Sequence, residues 1–340
     1  MTIYLDALGG DNAPQAVVEG ALEALQNHPS LRLELGGPLH RVKAEVERVF
    51  THADASLRHR LCLTDCPELI ENCEAPVMAV RKKKGSAIVD GMLKLRDGQA
   101  DAFVSAGSTG AVLAGGMFRL GRIPGIQRPA LAPLMPNGNG FFLLIDCGAN
   151  VDCRAEWLAQ FALMGVAYMQ GVQGLSNPRV GLVNNGAEEE KGNALAKEAY
   201  GLLEASGMNF VGNLEARDIT CDMADVIVCD GFVGNVILKL VEGVAGTLMS
   251  IIKREITADT RGKIGALLAK PAFKRVAKAM DYTEVGGAPL LGVRGNVIKA
   301  HGSSNGRAVA CAIGQAVRMV ETDVKGKIEK ALVCAERVSE

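Results

Sequence analysis

The sequence predicts an α/β fold built on a mainly parallel, doubly wound sheet. Three observations point there. Short apolar runs with strand character alternate with stretches of helical spacing along most of the chain. Loops rich in Gly, Asn and Asp repeatedly follow the C-ends of the strand-like runs, where open parallel sheets bind their ligands. Forty glycines with 48% apolar and only 4% aromatic residues suit a loop-rich sheet protein better than a helical bundle.

Residues 2–5 predict the first strand. It runs into Asp6-Ala-Leu-Gly-Gly-Asp-Asn-Ala-Pro14, a loop of turn formers whose Pro14 is placed to open the helix at 16–25. A strand at 31–35 closes on Gly36-Gly37-Pro38. A helix at 41–50 and a strand at 61–63 follow, and then four cations in a row, Arg81 to Lys84, lead into a helix over 88–95. Residues 101–104 predict a short buried strand and 111–120 a helix. Strands at 141–145, 180–183, 209–211 and 226–229 are interleaved with helices at 156–169 and 194–203.

Residues 236–280 differ in character. Ile237, Leu240, Val241, Val244, Leu248, Ile251 and Ile252 keep i, i+3, i+4, i+7 spacing. A second helical stretch carries Leu267, Leu268, Phe273, Val276 and Met280. A strand at 296–300, a helix at 307–320 and a polar C-terminal helix complete the order. The expectation is one α/β unit over 1–340, with 236–280 as a protruding amphipathic helix pair. Between Lys253 and Lys278 there are eight Lys/Arg against two Asp/Glu. Such a pair lies on an anionic membrane or docks an acidic partner. Otherwise it is a core or dimer-interface pair with a solvated basic face.

Net charge is −1, so no basic field argues for nucleic acid, and few aromatics argue against base stacking. Nine cysteines, spread from Cys62 to Cys334, read as core thiols of a reducing compartment. Cys62, Cys66 and Cys73 lack a second cysteine pair, and His28, His40, His52 and His59 lie in polar surroundings, so no metal site is expected. The N-terminal residues carry no basic leader, and no run of about 18 apolar residues is found. The chain is read as cytoplasmic. Neither G-x-G-x-x-G nor G-x-x-x-x-G-K-[ST] occurs, and no cofactor is expected.

The stretch that concentrates chemistry is Ser105-Ala-Gly-Ser-Thr-Gly110, between a strand and a helix. This layout aims backbone N–H groups and the positive end of a helix dipole at an anion. It is equally the layout of an ordinary βα turn with a Ser or Thr N-cap. Gly302-Ser-Ser-Asn-Gly306 matches the G-x-S-x-G elbow, but no histidine follows Ser304, so the turn reads as a second anion-binding helix start. The loops at 6–14, 105–110, 146–150, 184–193 and 230–235 are expected to converge on one cleft.

Taken together and in order, several motifs carry a resemblance. They are the 6–14 loop, the 105–110 loop, Arg128-Pro-Ala-Leu-Ala132, Asp146-Cys-Gly-Ala-Asn150, Glu189-Glu-Lys-Gly-Asn193, Asn213-Leu-Glu-Ala-Arg217, Asp230-Gly-Phe-Val-Gly-Asn235 and residues 286–305. The chain resembles the PlsX family of bacterial phosphate acyltransferases over nearly its whole length. Leu8 stands where that family commonly has Met, and Arg294 interrupts a stretch that usually lacks a large cation.

The resemblance implies a fold similar to isocitrate/isopropylmalate dehydrogenases and phosphotransacetylases. It implies transfer of a fatty acyl group from acyl-[acyl carrier protein] to inorganic phosphate, giving acyl phosphate for phospholipid synthesis by a membrane glycerol-3-phosphate acyltransferase. A homodimer without cofactor, in peripheral contact with the inner face of the cell membrane, is further implied. A phosphotransacetylase-like use of acyl-coenzyme A is the alternative. Phosphate is itself the nucleophile, and a thiol of pKa about 8.5 leaves readily, so the work is to hold a dianion and an oxyanion. Ser105, Gly107, Ser108, Thr109 and Gly110 suit the phosphate. Lys84, Lys191, Asn150, Asn185, Asn235, Ser303, Ser304 and Asn305 suit the oxyanion, while His301 or Asp230 would move a proton or orient phosphate. Arg254, Lys270, Lys274 and Lys278 are the expected partner or membrane contacts.

Overall fold

The computed structural model describes residues 1–279 and 286–339, side chains excepted at 277–279 and 336–339. The first half of the chain runs β1 (Thr2–Asp6), α1 (Gln15–Asn27), β2 (Arg32–Gly37), α2 (Leu39–Val49), α3 (Ala55–Arg58), β3 (Leu61–Asp65), α4 (Pro76–Lys82), α5 (Ala87–Arg96), β4 (Ala102–Ser105), α6 (Thr109–Gly115) and β5 (Ala130–Leu131). A π-helical turn, Gly116–Leu120, extends α6. Next come β6 (Leu134–Pro136), β7 (Phe141–Ile145), α7 (Ala155–Val172), β8 (Val180–Asn184), α8 (Ala194–Glu204), β9 (Phe210–Glu215) and β10 (Val226–Val228). The chain ends α9 (Gly231–Ile256), α10 (Thr260–Ala279), β11 (Ala288–Leu291), β12 (Asn296–Lys299), α11 (Gly306–Glu321) and α12 (Val324–Ser339).

The parallel α/β class stands, divided over two sheets. The first has strand order β3-β2-β1-β4-β12-β11-β5, the second β6-β7-β10-β8-β9. β11 is antiparallel to both neighbours and β6 to β7; every other pairing is parallel. The three strands absent from the sequence reading, β5, β6 and β11, are two to four residues long and carry or follow a proline. Such runs are too short for a period to declare itself.

Strand alternation sorts the side chains into separate cores. Ile3 and Leu5 of β1 pack with α1 and α11, whereas Tyr4 packs with Phe103 and Met92 on the opposite face. In the second sheet Leu143 and Ile145 join the first core, while Phe142 and Leu144 turn to the root of α9. The first core is therefore continuous across both sheets. Inside it the buried Gln315 of α11 donates to the Tyr168 hydroxyl of α7 at 2.8 Å, a polar tie between the layers over the two sheets. Removing a ring such as Phe103, fully buried, would cost roughly 3–5 kcal/mol.

α9 begins at Gly231, six residues before the helical spacing becomes legible. Its buried residues are only Gly231 and Gly234. Beyond them Leu240, Val244, Leu248 and Ile251 are exposed, Leu240 by 62%, as are Ile264, Leu267 and Leu268 of α10. The pair is not a core element of this chain. By length and composition α9 also suffices to cross a membrane, which the search for an uninterrupted apolar run did not reveal.

Candidate functional site

Asp6, Ser105 and Lys299 close the C-ends of three adjacent parallel strands, β1, β4 and β12, in a row. The Ser105 hydroxyl donates to Asp6 Oδ2 at 2.7 Å and accepts from the Gly107 N–H at 3.0 Å. Both side chains are buried. Burial pushes the Asp6 carboxyl up, and the Ser105 hydroxyl, the Leu8 and Gly9 N–H groups and the charge of Lys299 oppose that. The 6–14 loop passes so close that a Cβ on Gly9 would lie 2.6 Å from both Asp6 Oδ2 and the Gly107 nitrogen.

The 105–110 stretch is thus largely architecture. Ser108 caps α6 through the Ala111 N–H, and Gly110 packs where a Cβ would meet Pro76 at 2.5 Å. Thr109, exposed at the start of α6, lines the cleft between the sheets.

That cleft has a volume of about 400 Å³. Thr109, Lys299 and His301 reach it from the first sheet, and Asn235, Lys239 and Glu242 from one face of α9. Cys147 and Gly148 form its floor, with Leu131, Leu134 and Leu238 as apolar wall. His301 Nδ1 is 2.8 Å from Ser303 Oγ, and the Ser304 N–H donates to the His301 carbonyl at 3.1 Å. Asn12 Nδ2 donates to the Ser303 and Ser304 carbonyls, at 3.0 and 3.2 Å, and the Asp11 N–H to that of Gly302 at 2.8 Å. Asn305 caps α11 through the Ala308 N–H at 2.9 Å. The 301–305 turn is therefore latched to the 6–14 loop, with His301 presented at the cleft.

The joint between the sheets is Asp146. Fully buried, it accepts from the N–H groups of Leu131 at 2.9 Å, Ala149 at 3.4 Å and Asn150 at 2.7 Å, and from Asn150 Nδ2 at 2.9 Å. Burial still pushes its carboxyl up to about 6. Asn150 Nδ2 also reaches the Pro129 carbonyl at 2.8 Å, and the Gly231 N–H donates to the Asn150 carbonyl at 2.7 Å. Asn150 thereby ties β5, the β7 loop and α9 together.

A second cavity, about 590 Å³ and mostly apolar, lies on another face of the α9 root. Asn185, Asp230, Val236 and Leu240 line it. Asp230 caps α9 through the Val233 N–H at 2.8 Å. A third cavity of about 240 Å³ lies beside Asp6, Gly9 and Gly107. The five loops expected in one cleft are thus distributed over three cavities; the root of α9 lines both larger ones, and the third is lined by the 6–11 loop, residues 68–72 and the start of α5. Lys84, exposed on the turn between α4 and α5, and Lys191, exposed in the β8–α8 loop, line neither of the two larger cavities. Arg254 is exposed and ion-paired with Glu255 at 2.8 Å, and Lys270 and Lys274 are exposed on α10. Lys278 lies outside the residues whose side chains are described.

Three cleft residues escaped the sequence reading. Lys239 and Glu242 follow Asn235 at i+4 and i+7, a polar stripe on a helix whose apolar stripe drew attention. Lys299 closes the strand Asn296–Lys299 and is 7% exposed. A lone charge at the end of an apolar strand, one residue before a buried alanine, was the available signal.

Comparison with known proteins gives a consistent picture. A family profile described as "Fatty acid synthesis protein" matches residues 1–327. A protein of Clostridium acetobutylicum named phosphate acyltransferase is 50% identical over 332 residues, covering 98% of this chain and 99% of that protein. One of the same name from Thermoanaerobacter pseudethanolicus is 48% identical, covering 98% and 97%. Among solved structures, a phosphotransacetylase from Streptococcus pyogenes aligns with a TM-score of 0.61 at 18% identity, over 94% of each chain. EutD phosphotransacetylase from Staphylococcus aureus aligns at 0.59 and 16% identity, over 96% and 94%. At those identities the structures speak to the fold alone. The sequence relatives carry the identification: the chain belongs to the phosphate acyltransferase family of acyltransferase enzymes.

Proposed function

We propose that the protein transfers a fatty acyl group from acyl-[acyl carrier protein] to inorganic phosphate, by direct attack of phosphate on the thioester. The observation that carries this reading is the cleft itself, where cationic side chains and His301 face an apolar wall across the C-ends of the strands. A phosphate oxygen bonds to the thioester carbonyl carbon, and the carbonyl π pair moves to oxygen. On collapse the C–S bond breaks, and the proton of HPO₄²⁻ passes to the leaving sulfur. The products are acyl phosphate and free thiol, with charge conserved. His301, hydrogen-bonded to Ser303, is suited to hand over that proton. No enzyme thiol is called for. Burial holds Cys147 and Cys229 well above the ordinary thiol value and lifts Cys153 to about 12, so each stays protonated at neutral pH.

The exposed apolar stripe of α9 and the basic residues of α10 support peripheral contact with an anionic membrane, close to the membrane glycerol-3-phosphate acyltransferase that would consume the product. Cytoplasmic location and assembly as a homodimer complete the reading. The test is acyl phosphate formation from palmitoyl-carrier protein and phosphate, with palmitoyl-coenzyme A in a parallel reaction. Product from the carrier protein alone is expected. Equal product from coenzyme A would replace this reading with the phosphotransacetylase-like one, and no product from either would overturn both.

A further inference from the structure

Lys299 is a buried ammonium. Its Nζ donates to the Ala300 carbonyl, which takes one of its three donors. Among the described residues it makes no direct ion pair; Asp6 and Asp11 act on it through space. A buried charge in that condition is costly unless something completes its shell. Lys299 also lines the cleft, on the strand end next to the Ser105–Asp6 pair and two residues before His301.

We propose that Lys299 binds the phosphate nucleophile in the cleft, and that buried Asp6, held by Ser105, is the counter-charge that positions the ammonium there. This deepens the reading under Proposed function and rests on it. The Ser105–Gly107 turn is locked onto Asp6 through the Ser105 hydroxyl. The turn fixes the carboxylate, the carboxylate field acts on Lys299, and the ammonium supplies the donors. Desolvation pulls Lys299 down to about 8, opposed by Asp6 and Asp11. At neutral pH it is still mainly protonated, and an arriving anion raises it further. The charged and titratable groups around it are Asp6 of β1, Asp11 of the following loop, His301 beyond β12, Cys147 of the floor, and Lys239 and Glu242 across the cleft on α9.

The experiment compares the full-length enzyme with Lys299→Ala, Lys299→Arg and the neutral pair Asp6→Asn/Lys299→Met. Folding is followed by circular dichroism, inorganic phosphate binding by calorimetry, and kcat and KM for phosphate and acyl-carrier protein separately. In Lys299→Ala the expected loss in kcat/KM for phosphate is about 100-fold, with KM for the acyl donor changed by less than about three-fold. Methylammonium should restore about ten-fold in Lys299→Ala and nothing in the wild type. The wild-type kcat/KM for phosphate should fall above about pH 8, and Lys299→Arg should move that fall to higher pH. Should the single variants fail to fold, the neutral pair decides: a folded protein that no longer binds phosphate supports the proposal, and one that still binds it overturns the proposal. A folded Lys299→Ala with unchanged phosphate affinity, or one indifferent to methylammonium, also overturns it. If the wild type binds phosphate through Lys299 yet makes no acyl phosphate, the functional reading fails and the binding role of Lys299 stands.

Discussion

At its root α9 meets backbone. Gly231 and Gly234 are buried against the Asp146–Asn150 joint, and a Cβ on Gly234 would lie 1.9 Å from the Asp146 carbonyl oxygen. Two turns further out, the same helix has Gly243 and Gly246 with nothing within 4 Å of an added Cβ, and Val244 and Leu248 are more than half exposed. One helix thus obeys two sets of rules. The root answers to packing and to the satisfaction of buried polar groups. The arm answers to whatever lies outside the chain. The difference teaches that the cleft lining and the exposed apolar stripe belong to one continuous helix, so substitutions at one end can be read against substitutions at the other.

Substitutions can break or sharpen that contrast. The largest effect is expected from Gly234→Ala, which drives a methyl into the Asp146 carbonyl. Urea unfolding should show a loss of more than about 3 kcal/mol, together with loss of activity as Asn235 and Lys239 leave the cleft. Tolerance of that methyl would refute the tight root. Next is the pH dependence of the joint. The Asp146 carboxyl sits above its ordinary value, so the fold prefers it protonated. Its contribution is fully present below about pH 4 and is lost as pH rises through about 6, a change of about 3 kcal/mol. Stability curves from pH 4 to 7 for wild type and Asp146→Ala should differ by that slope, and parallel curves would remove Asp146 from the account.

Ser105→Ala takes the hydroxyl from Asp6. About 2 kcal/mol of stability should be lost, while KM for acyl-carrier protein stays within about two-fold. An undisturbed stability with a collapsed phosphate affinity would instead return Ser105 to direct contact with the anion. On the arm the sign reverses. Gly243→Ala should stabilise by about 0.5–1 kcal/mol, because a helical alanine replaces a glycine in open space. The smallest stability effect belongs to Leu248→Asp, within about 0.5 kcal/mol, yet binding to anionic vesicles in a flotation assay should drop severalfold. A vesicle affinity equal to that of the wild type would separate the arm from membranes.

Much of the fold was legible because local and long-range signals agreed. β7 occupies the expected residues 141–145, and the Gly/Asn/Asp loops do follow strand ends. The second sheet was not legible as a separate sheet. Nothing in the residues of β7, β8 and β10 says which strands they pair with, since all read as buried apolar runs. In the candidate site, residue type drew attention to the loops, and the structure shows which of their side chains are engaged elsewhere. Ser108 and Asn305 were expected to donate to an anion and Asp230 to move a proton or orient phosphate; in the structure the side-chain oxygen of each accepts a backbone N–H as a helix cap. Lys299, Lys239 and Glu242 became visible only when β12 and α9 were placed on opposite sides of one cleft, a relation between residues some 60 positions apart.

The length of α9 has a mechanical consequence. From Gly234 to Ile256 the helix spans about 33 Å, with its fulcrum at the Asp146 joint. A tilt of about 10° there carries the far end through about 6 Å, whereas Lys239, little more than one turn from the pivot, shifts by about 1 Å. The helix is a long lever with a short working end. Whatever takes hold of its tip gains a strong mechanical advantage over the position of the side chains that line the cleft.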